Sequence, residues 1–292
     1  MLMRNGNRKQ MPDHHKVAVV TGSSSGIGYE TALLLARNGF HTFATVRNVE
    51  KAKTLSEVAK KEQLQLKIVK LDVTDEKSVN DAIKSIKSDA GRIDVLVNNA
   101  GYGLGGALED VSISEIRAQY ETNVFGLIRV TQAVLPTMRE QKSGIIVNIS
   151  SVGGKMALPY FSPYISTKFA VEGLSESIAY DLEPFGIKVV IIEPGAIKTN
   201  FDSGMVIPAK SRNSSSPYFK SMKQFQDLMD SILQNGTLPG EVAKVILGAV
   251  TSQNPNLRYT AGDDAAFLVQ KRRELSDPEF KKFVSEFLSK PA

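Results

Sequence analysis

The chain has 292 residues, a formal net charge of +5, 42% hydrophobic residues and no cysteine. That length is ample for one buried core and a little more than one compact domain; the absence of cysteine excludes a disulfide framework and a thiolate metal site. The lysines are scattered along helix faces, which argues against a nucleic-acid partner, and no apolar run reaches bilayer-crossing length, so membrane insertion is not expected.

In chain order, residues 1–15 are polar and basic, with no hydrophobic signal core. They read as a disordered basic extension, with Met3 or Met11 as alternative starts, and a cytoplasmic location follows by default. His14 and His15 lie there and His41 lies in a strand, so no metal site is expected. Residues 17–20 form a short apolar strand that runs into Gly22, Ser24, Ser25, Gly26, Ile27 and Gly28, then into a helix over 29–38 stopped by Gly39. A strand over 41–46 and a helix over 49–62 follow. The next strand, 65–71, ends at Asp72 and Val73, and a helix covers 76–90. The strand at 94–97 ends in Asn98, Asn99, Ala100 and Gly101, and residues 112–140 carry one or two helices. The strand at 145–149 ends in Ser150 and Ser151. A further helix is expected with Ser162 as N-cap and Pro163 as its first residue, followed by a strand over 188–192 that ends in Glu193, Pro194 and Gly195.

Fully apolar strands alternating with helices imply an α/β fold, a parallel sheet covered on both faces. Ligands of such sheets bind outside the carboxyl ends of the strands, and each motif just named stands at one of those ends. The glycine spacing permits a tight turn, with backbone close to a pyrophosphate and a helix N-terminus facing it. Tyr164 and Lys168 are four residues apart, so they share one helix face. A phenol titrates near pH 10, too high for easy proton exchange at neutral pH, and a neighbouring ammonium brings it down. Each motif has a plainer alternative: Ser151 as an ordinary strand end, Asn99 as a turn residue, Asn123 as a bridge within the sheet edge.

Thr21 to Gly28, Asn98 to Gly101, Asn123, Ser151, Tyr164-x-x-x-Lys168 and Pro194 to Thr199 together resemble the short-chain dehydrogenase/reductase family, over roughly residues 16–200. The resemblance implies a doubly wound Rossmann fold. It also implies that Tyr164 exchanges the proton at the substrate oxygen, while Lys168 lowers its pKa and holds the nicotinamide ribose. Ser151 is implied to bond the carbonyl oxygen, and Asn123 to support a water next to Lys168. Asp72 and Val73 fall to the adenine, Asn99, Ala100 and Gly101 to the ribose side, and Pro194, Gly195, Ile197 and Thr199 to the nicotinamide. Short stretches around Arg47, residues 102–109 and residues 257–264 are similar to the branch with 17β-hydroxysteroid and retinol dehydrogenases. A homodimer or homotetramer is expected.

No acidic residue lies between Phe40 and Val49, where an NAD site usually places one; Arg47 stands there instead. NADP(H) is therefore expected over NAD(H), with Ser23 and Ser24 as extra donors; a solvent-facing Arg47 that tolerates either cofactor is the alternative. Residues 201–236 read as a substrate lid: a polar, mobile loop over 210–217, then Tyr218, Met222, Phe225, Met229 and Ile232 on one helix face. Met222 and Phe225 are the substrate candidates there, beside Ser151 and Tyr164, and Gly103, Gly105 and Gly106 are expected to form a backbone wall with space above it. Residues 16–292 are thus expected to be one catalytic domain: core to 200, lid to 236, then helix, last strand and tail. Two other classes stay open. One is a non-catalytic dinucleotide sensor, whose usual mark, loss of the tyrosine or lysine, is missing here. The other is a membrane-surface role for the stripe Phe280, Phe283, Val284, Phe287 and Leu288, which otherwise packs on the body or on a partner subunit.

Overall fold

Strands β1 (Val17–Thr21), β2 (His41–Val46), β3 (Leu66–Lys70), β4 (Val95–Asn98), β5 (Gly144–Ile149), β6 (Ile187–Pro194) and β7 (Arg258–Ala261) form one sheet in the order β3-β2-β1-β4-β5-β6-β7. Every pairing is parallel. The computed structural model describes residues 15–199 and 205–289. The expectation for residues 1–14 lies outside the described residues, as do residue 200 and the start of the expected lid, 201–204.

The chain builds outward from β1 to β3, then returns to place β4 on the other side of β1. That reversal opens a crevice between the carboxyl ends of β1 and β4, the usual ligand position in such sheets. Side chains alternate across the sheet. Ala18 and Val20 pack towards Leu33 and Leu35 of α1 (Gly26–Arg37) and Val242 and Ile246 of α8 (Pro239–Thr251). Val17 and Val19 pack towards Ile83 and Ile86 of α3 (Glu76–Ala90) and Val130 and Val134 of α5 (Leu127–Gln141). Each such aliphatic side chain contributes about 1.5–3 kcal/mol by burial, so the sheet is a stiff platform for its loops.

Local chemistry sets the helix ends. The Asp75 carboxylate accepts from Ser78 N at 3.1 Å to open α3, and Gly91 closes it at φ +73°. Ser112 and Glu115 form a capping box on α4 (Ile113–Tyr120). The stretch 112–140 becomes two helices, α4 and α5, joined by a π-helical turn over Glu121–Gly126. Gly126 allows the turn to rest on Val73: a Cβ there would stand 2.7 Å from Val73 Cγ2. Helix α6 (Ser162–Leu182) begins one residue earlier than expected, with Phe161 as N-cap, because the Phe161 ring is buried and pins the chain there.

The polar loop at 210–217 also departs from expectation. A 3-10 turn covers Lys210–Arg212, and Ser211 and Ser216 are buried. The reason is the buried Asp110 carboxylate, which accepts from Ser216 Oγ at 2.6 Å. Helix α7 (Phe219–Gln234) follows. In the tail, α9 (Asp263–Glu274) and α10 (Asp277–Ser289) pack on each other. The Phe283 ring lies 6.1 Å from Phe267 and 5.8 Å from the buried Phe280, so this part of the stripe packs within the chain, while Phe287 is exposed. Two further helical elements, a 3-10 turn at Val49–Ala52 and α2 (Lys53–Lys61), divide the helix expected over 49–62.

Candidate active site

The glycine turn is built by steric exclusion. Gly22 takes φ +68°, and a Cβ there would sit 2.9 Å from Ala100 Cα. At Gly28 a Cβ would overlap Asn99 Nδ2 and Gly22 O. The space it leaves lets the Asn99 carboxamide donate to Thr21 O at 2.9 Å and Gly22 O at 3.1 Å. Thr21 Oγ1 accepts from the Asn99 and Ala100 amides at 2.9 and 3.0 Å. The ends of β1 and β4 are bolted together, and Asn99 serves as the brace with its side chain turned to the glycine turn.

Ser23 is buried, its hydroxyl bonded to Val20 O at 2.9 Å and its amide to Thr45 O at 3.0 Å. It is therefore a structural pin and is removed from the donors expected for a phosphate. Ser24, Ser25 and Gly26 (φ +59°) are left on the outer side of the turn. Ser25 is the N-cap of α1, its side chain makes no capping bond, and the first turn holds no acidic residue. Free amides and the positive end of the helix dipole favour an anion there. The Ile27 side chain packs against the core, so only its backbone faces the turn.

Further along the edge, Arg47 is exposed just after β2 and has no hydrogen bond or ion pair among the described residues. The Asp72 carboxylate is half-buried and accepts from Thr74 N at 3.0 Å and Thr74 Oγ1 at 2.7 Å. Val73 is buried, and its carbonyl accepts from Arg129, which also pairs with Glu121 at 2.7 Å. After β6, the buried Pro194 leads into a turn backed by Asp264: its carboxylate accepts from Ala196 N at 2.6 Å and fills the place of a side chain at Gly195. Ile197 sends its side chain into the core. The flanking groups pair with Thr237, through Lys198 N to Thr237 O and Thr237 N to Ala196 O, both at 2.9 Å. In a parallel ladder of that pattern the peptide groups of Ile197 itself face away from Thr237. Thr199 lies against Gly26, its Cγ2 3.4 Å from where a Cβ would be. The 194–199 turn thus meets the glycine turn.

Tyr164 and Lys168 share one face of α6 as the spacing predicts, with the ammonium 5.7 Å from the phenol ring centre. Lys168 Nζ donates to Ile149 O at 2.8 Å. The phenol is not brought down, as expected of it; burial pushes it up to about 12, with a hydrogen bond from Ser151 pulling the other way. The physical reason is desolvation of the buried phenol, while the Lys168 ammonium is bonded to a strand carbonyl. Burial lowers Lys168 to about 8, opposed by the charge of Glu172. At neutral pH the pair therefore stands as phenol and ammonium, the donor form a carbonyl substrate requires. Ser151 Oγ also accepts from Gly153 N at 3.0 Å, which fixes its position beside the tyrosine.

Asn123 sits in the π-helical turn and is buried. Its Nδ2 donates to Tyr102 O at 3.0 Å and Thr167 Oγ1 at 3.2 Å, and its Oδ1 accepts from Tyr102 N at 3.1 Å. Both of its amide protons are thus engaged with protein, and it ties the segment after Gly101 to α6 between Tyr164 and Lys168. Gly101 accommodates this: a Cβ there would stand 3.1 Å from Asn123 Oδ1.

On the substrate side, Phe161, Ile165 and Phe225 form a small apolar cluster with Tyr160, Tyr164, Met205 and Met229 packed against it. Phe161 lies 6.2 Å from the Tyr164 ring and 5.5 Å from Phe225, and Tyr160 lies 5.4 Å from Phe225. Met222 is buried as well. A cavity of about 490 Å³ touches Phe161, Met205, Met222, Phe225 and Met229 but neither Tyr164 nor Ser151, so Phe161 is the partition between cavity and phenol. The space expected above Gly105 is filled: a Cβ there would meet Ile207, Met205 and Phe161 at 3.1–3.2 Å. Sequence reasoning missed Tyr160, Phe161 and Asp264. Phe161 stands three residues before Tyr164, one helical turn away, and that spacing was its one available signal. Tyr160, at φ +61°, and Asp264 had none.

Comparison with known proteins agrees with this geometry. The short chain dehydrogenase family profile matches residues 16–206. The chain is 42% identical over 255 residues to the uncharacterized oxidoreductase YusZ of Bacillus subtilis, covering 85% of this chain and 89% of that one. It is 35% identical over 281 residues to 17-beta-hydroxysteroid dehydrogenase type 1 of Homo sapiens, covering 92% and 84%. A solved short-chain dehydrogenase from Streptomyces avermitilis superposes with a TM-score of 0.81 at 33% identity, over 96% of this chain and all of that one. Other structural neighbours were solved with NADP or with NAD. With a parallel Rossmann sheet, a glycine turn at its switch point and a match across most of its length, the chain belongs to the short-chain dehydrogenase family, the NAD(P)-dependent oxidoreductases of CH–OH and carbonyl groups, in the branch that includes the 17β-hydroxysteroid dehydrogenases.

Proposed function

We propose that this protein is an NADP(H)-dependent enzyme that interconverts a carbonyl and an alcohol on an apolar substrate, with Tyr164 as general acid/base. The observation that carries the reading is the convergence of Ser151, Tyr164 and Lys168 at the carboxyl edge beside the glycine turn, in the phenol and ammonium forms. The residues fit a dinucleotide: Gly22 and Gly28 leave no room for side chains, and the Ser25 end of α1 lacks both a cap bond and an acid. Gly26, Ile27, Ala100 and Gly101 would offer backbone to it, Asp72 and Val73 would flank the adenine, and Ile197 and Thr199 would meet the carboxamide. When bound, the nicotinamide supplies or accepts the hydride.

The chain's own residues do the rest. The Ser151 hydroxyl and the protonated Tyr164 donate hydrogen bonds to the substrate oxygen, where negative charge develops. Tyr164 gives that oxygen its proton in reduction and takes it back in oxidation. The Lys168 ammonium offsets the phenolate that forms. Asn123 holds α6 against the segment after Gly101, which keeps tyrosine and lysine in register. Arg47, with no partner among the described residues, would take a 2′-phosphate by a charge-assisted bond. Helix α7 would act as the lid, with Met222 and Phe225 meeting the apolar body of the substrate once Phe161 yields. The homologous steroid dehydrogenase, by its name, also handles an apolar substrate.

The deciding experiment follows NADPH absorbance with a panel of small and bulky ketones, on wild type and Tyr164→Phe. The variant is expected to lose at least about a hundredfold in turnover while binding NADPH nearly as well. Turnover above about a tenth of wild type would remove Tyr164 as the acid. A homodimer or homotetramer and a cytoplasmic location belong to the same reading. Phe125 and Phe169, each about half exposed on neighbouring helical segments, are the apolar surface such an assembly would cover; sedimentation and cell fractionation check both points. Among the described residues no helix is long and apolar enough to cross a membrane.

A further inference from the structure

One turn beyond Lys168 along α6 lies a group of buried charges that the reaction above does not use. Glu172 stands four residues after Lys168 on α6, which places both on one face of the helix. Both are buried, Lys168 to 9% and Glu172 to 5% exposure. One carboxylate oxygen of Glu172 accepts from Arg258 Nε at 3.0 Å and lies 4.0 Å from Lys155 Nζ. The other oxygen has no hydrogen-bond partner among the described residues. Gly154 makes room for this carboxylate: a Cβ there would come 2.8 Å from Glu172 Cγ and 2.6 Å from Ser150 Oγ.

We propose that Glu172, clamped by Arg258 from the last strand, is a positioning residue that acts through Lys168, keeping its ammonium charged from one turn along the same helix face. The groups facing this pair come from every neighbouring element. Helix α6 itself contributes Tyr164 and Glu176, the turn after β5 contributes Ser150, Ser151 and Lys155, β6 contributes Glu193, β7 contributes Arg258, and α9 contributes Arg273. The π-helical turn offers only the uncharged Asn123. Arg258 serves three carboxylates at once, Glu172, Glu176 at 2.6 Å and Glu193 at 3.5 Å. Glu193 is almost fully buried, and burial together with the Glu172 charge raises its pKa. Burial would otherwise drive Lys168 towards its neutral form, and Glu172 is the group that opposes it. Sheet and site are linked through Glu172: a residue of β7, far from the glycine turn in sequence, holds the carboxylate whose charge acts on the lysine.

The inference rests on Lys168 as the working cation, so its test reads the lysine directly as well as the reaction. Lysines labelled at Cε are followed by NMR against pH in the intact protein, with Lys168→Arg assigning the signal. In wild type the midpoint is expected near the about 8 set by burial and Glu172 together. In Glu172→Gln it is expected to fall by on the order of one pH unit, and the alkaline limb of kcat/KM is expected to fall with it. Should Glu172→Gln not fold, Glu172→Asp replaces it, and a smaller fall in the same direction supports the proposal. An unchanged midpoint in the folded variant overturns it, whatever happens to stability. A midpoint that falls while the alkaline limb stays put upholds the positioning role and overturns instead the catalytic role of Lys168.

Discussion

The cofactor half and the lid half of this site are held in different ways. Around the glycine turn, contacts are backbone to backbone or backbone to short polar side chains, as in Thr21 with Asn99 and Ala100, and no volume is spare at Gly22 or Gly28. Around α7, beyond the backbone pairing of Val206 with Gly103 and Gly105, the ties to the body are side-chain bonds. Ser216 meets Asp110 at 2.6 Å, Tyr218 Oη meets Glu109 at 3.0 Å, and the exposed Lys210 donates to Glu109 O at 2.9 Å. Under them lies an apolar cluster, not a packed sheet. The first arrangement is preorganised and costs little to keep for an incoming pyrophosphate. The second would open by breaking a few local bonds, as the proposed lid requires.

The comparison breaks most sharply at Gly28. Gly28→Ala forces a methyl group into Asn99 and the Gly22 carbonyl, so cofactor binding is expected to be lost, with about 1–3 kcal/mol of stability from overpacking. Titration with NADPH and a thermal melt check both, and a variant that binds normally would show the turn to be as yielding as the lid. A smaller effect, confined to one cofactor, is expected at Arg47. Arg47→Ala should weaken NADPH by about tenfold, the size of one charge-assisted bond, and leave NADH unchanged. Equal weakening of both cofactors would take Arg47 out of the site. The smallest effect in the whole molecule, and the most local, is expected at Ser216. Ser216→Ala leaves the Asp110 carboxylate short of a partner, so amide exchange should rise over residues 205–236 while the glycine turn stays protected. Uniform loss of protection across both regions would erase the distinction between them.

Much of the site was legible in the chain because its motifs are short and local. The Tyr164 and Lys168 spacing is a property of any helix, and the glycine pattern needs only a strand before it and a helix after it. The roles of single residues were less legible. Ser23 and Ser24 look alike as neighbours, yet one is a buried pin and the other faces outward, because the turn at Gly22 decides which hydroxyl points at Val20. Gly105 was expected to leave open space, but Met205 and Ile207 arrive there from a hundred residues further on through the bridge of Leu104 with Val206. The loop at 210–217 looked free because its polar residues have no local partner, and Asp110 is a distant one.

The sequence by itself determined the alternation of strands and helices, the parallel sheet and the residue types at its carboxyl edge, since these follow from periodicity and from turn chemistry within a few residues. Only the tertiary structure decided the protonation state of the tyrosine and lysine. That state depends on burial first, with the Ser151 hydroxyl opposing it at Tyr164 and the Glu172 charge opposing it at Lys168, and burial depends on how the elements pack around α6.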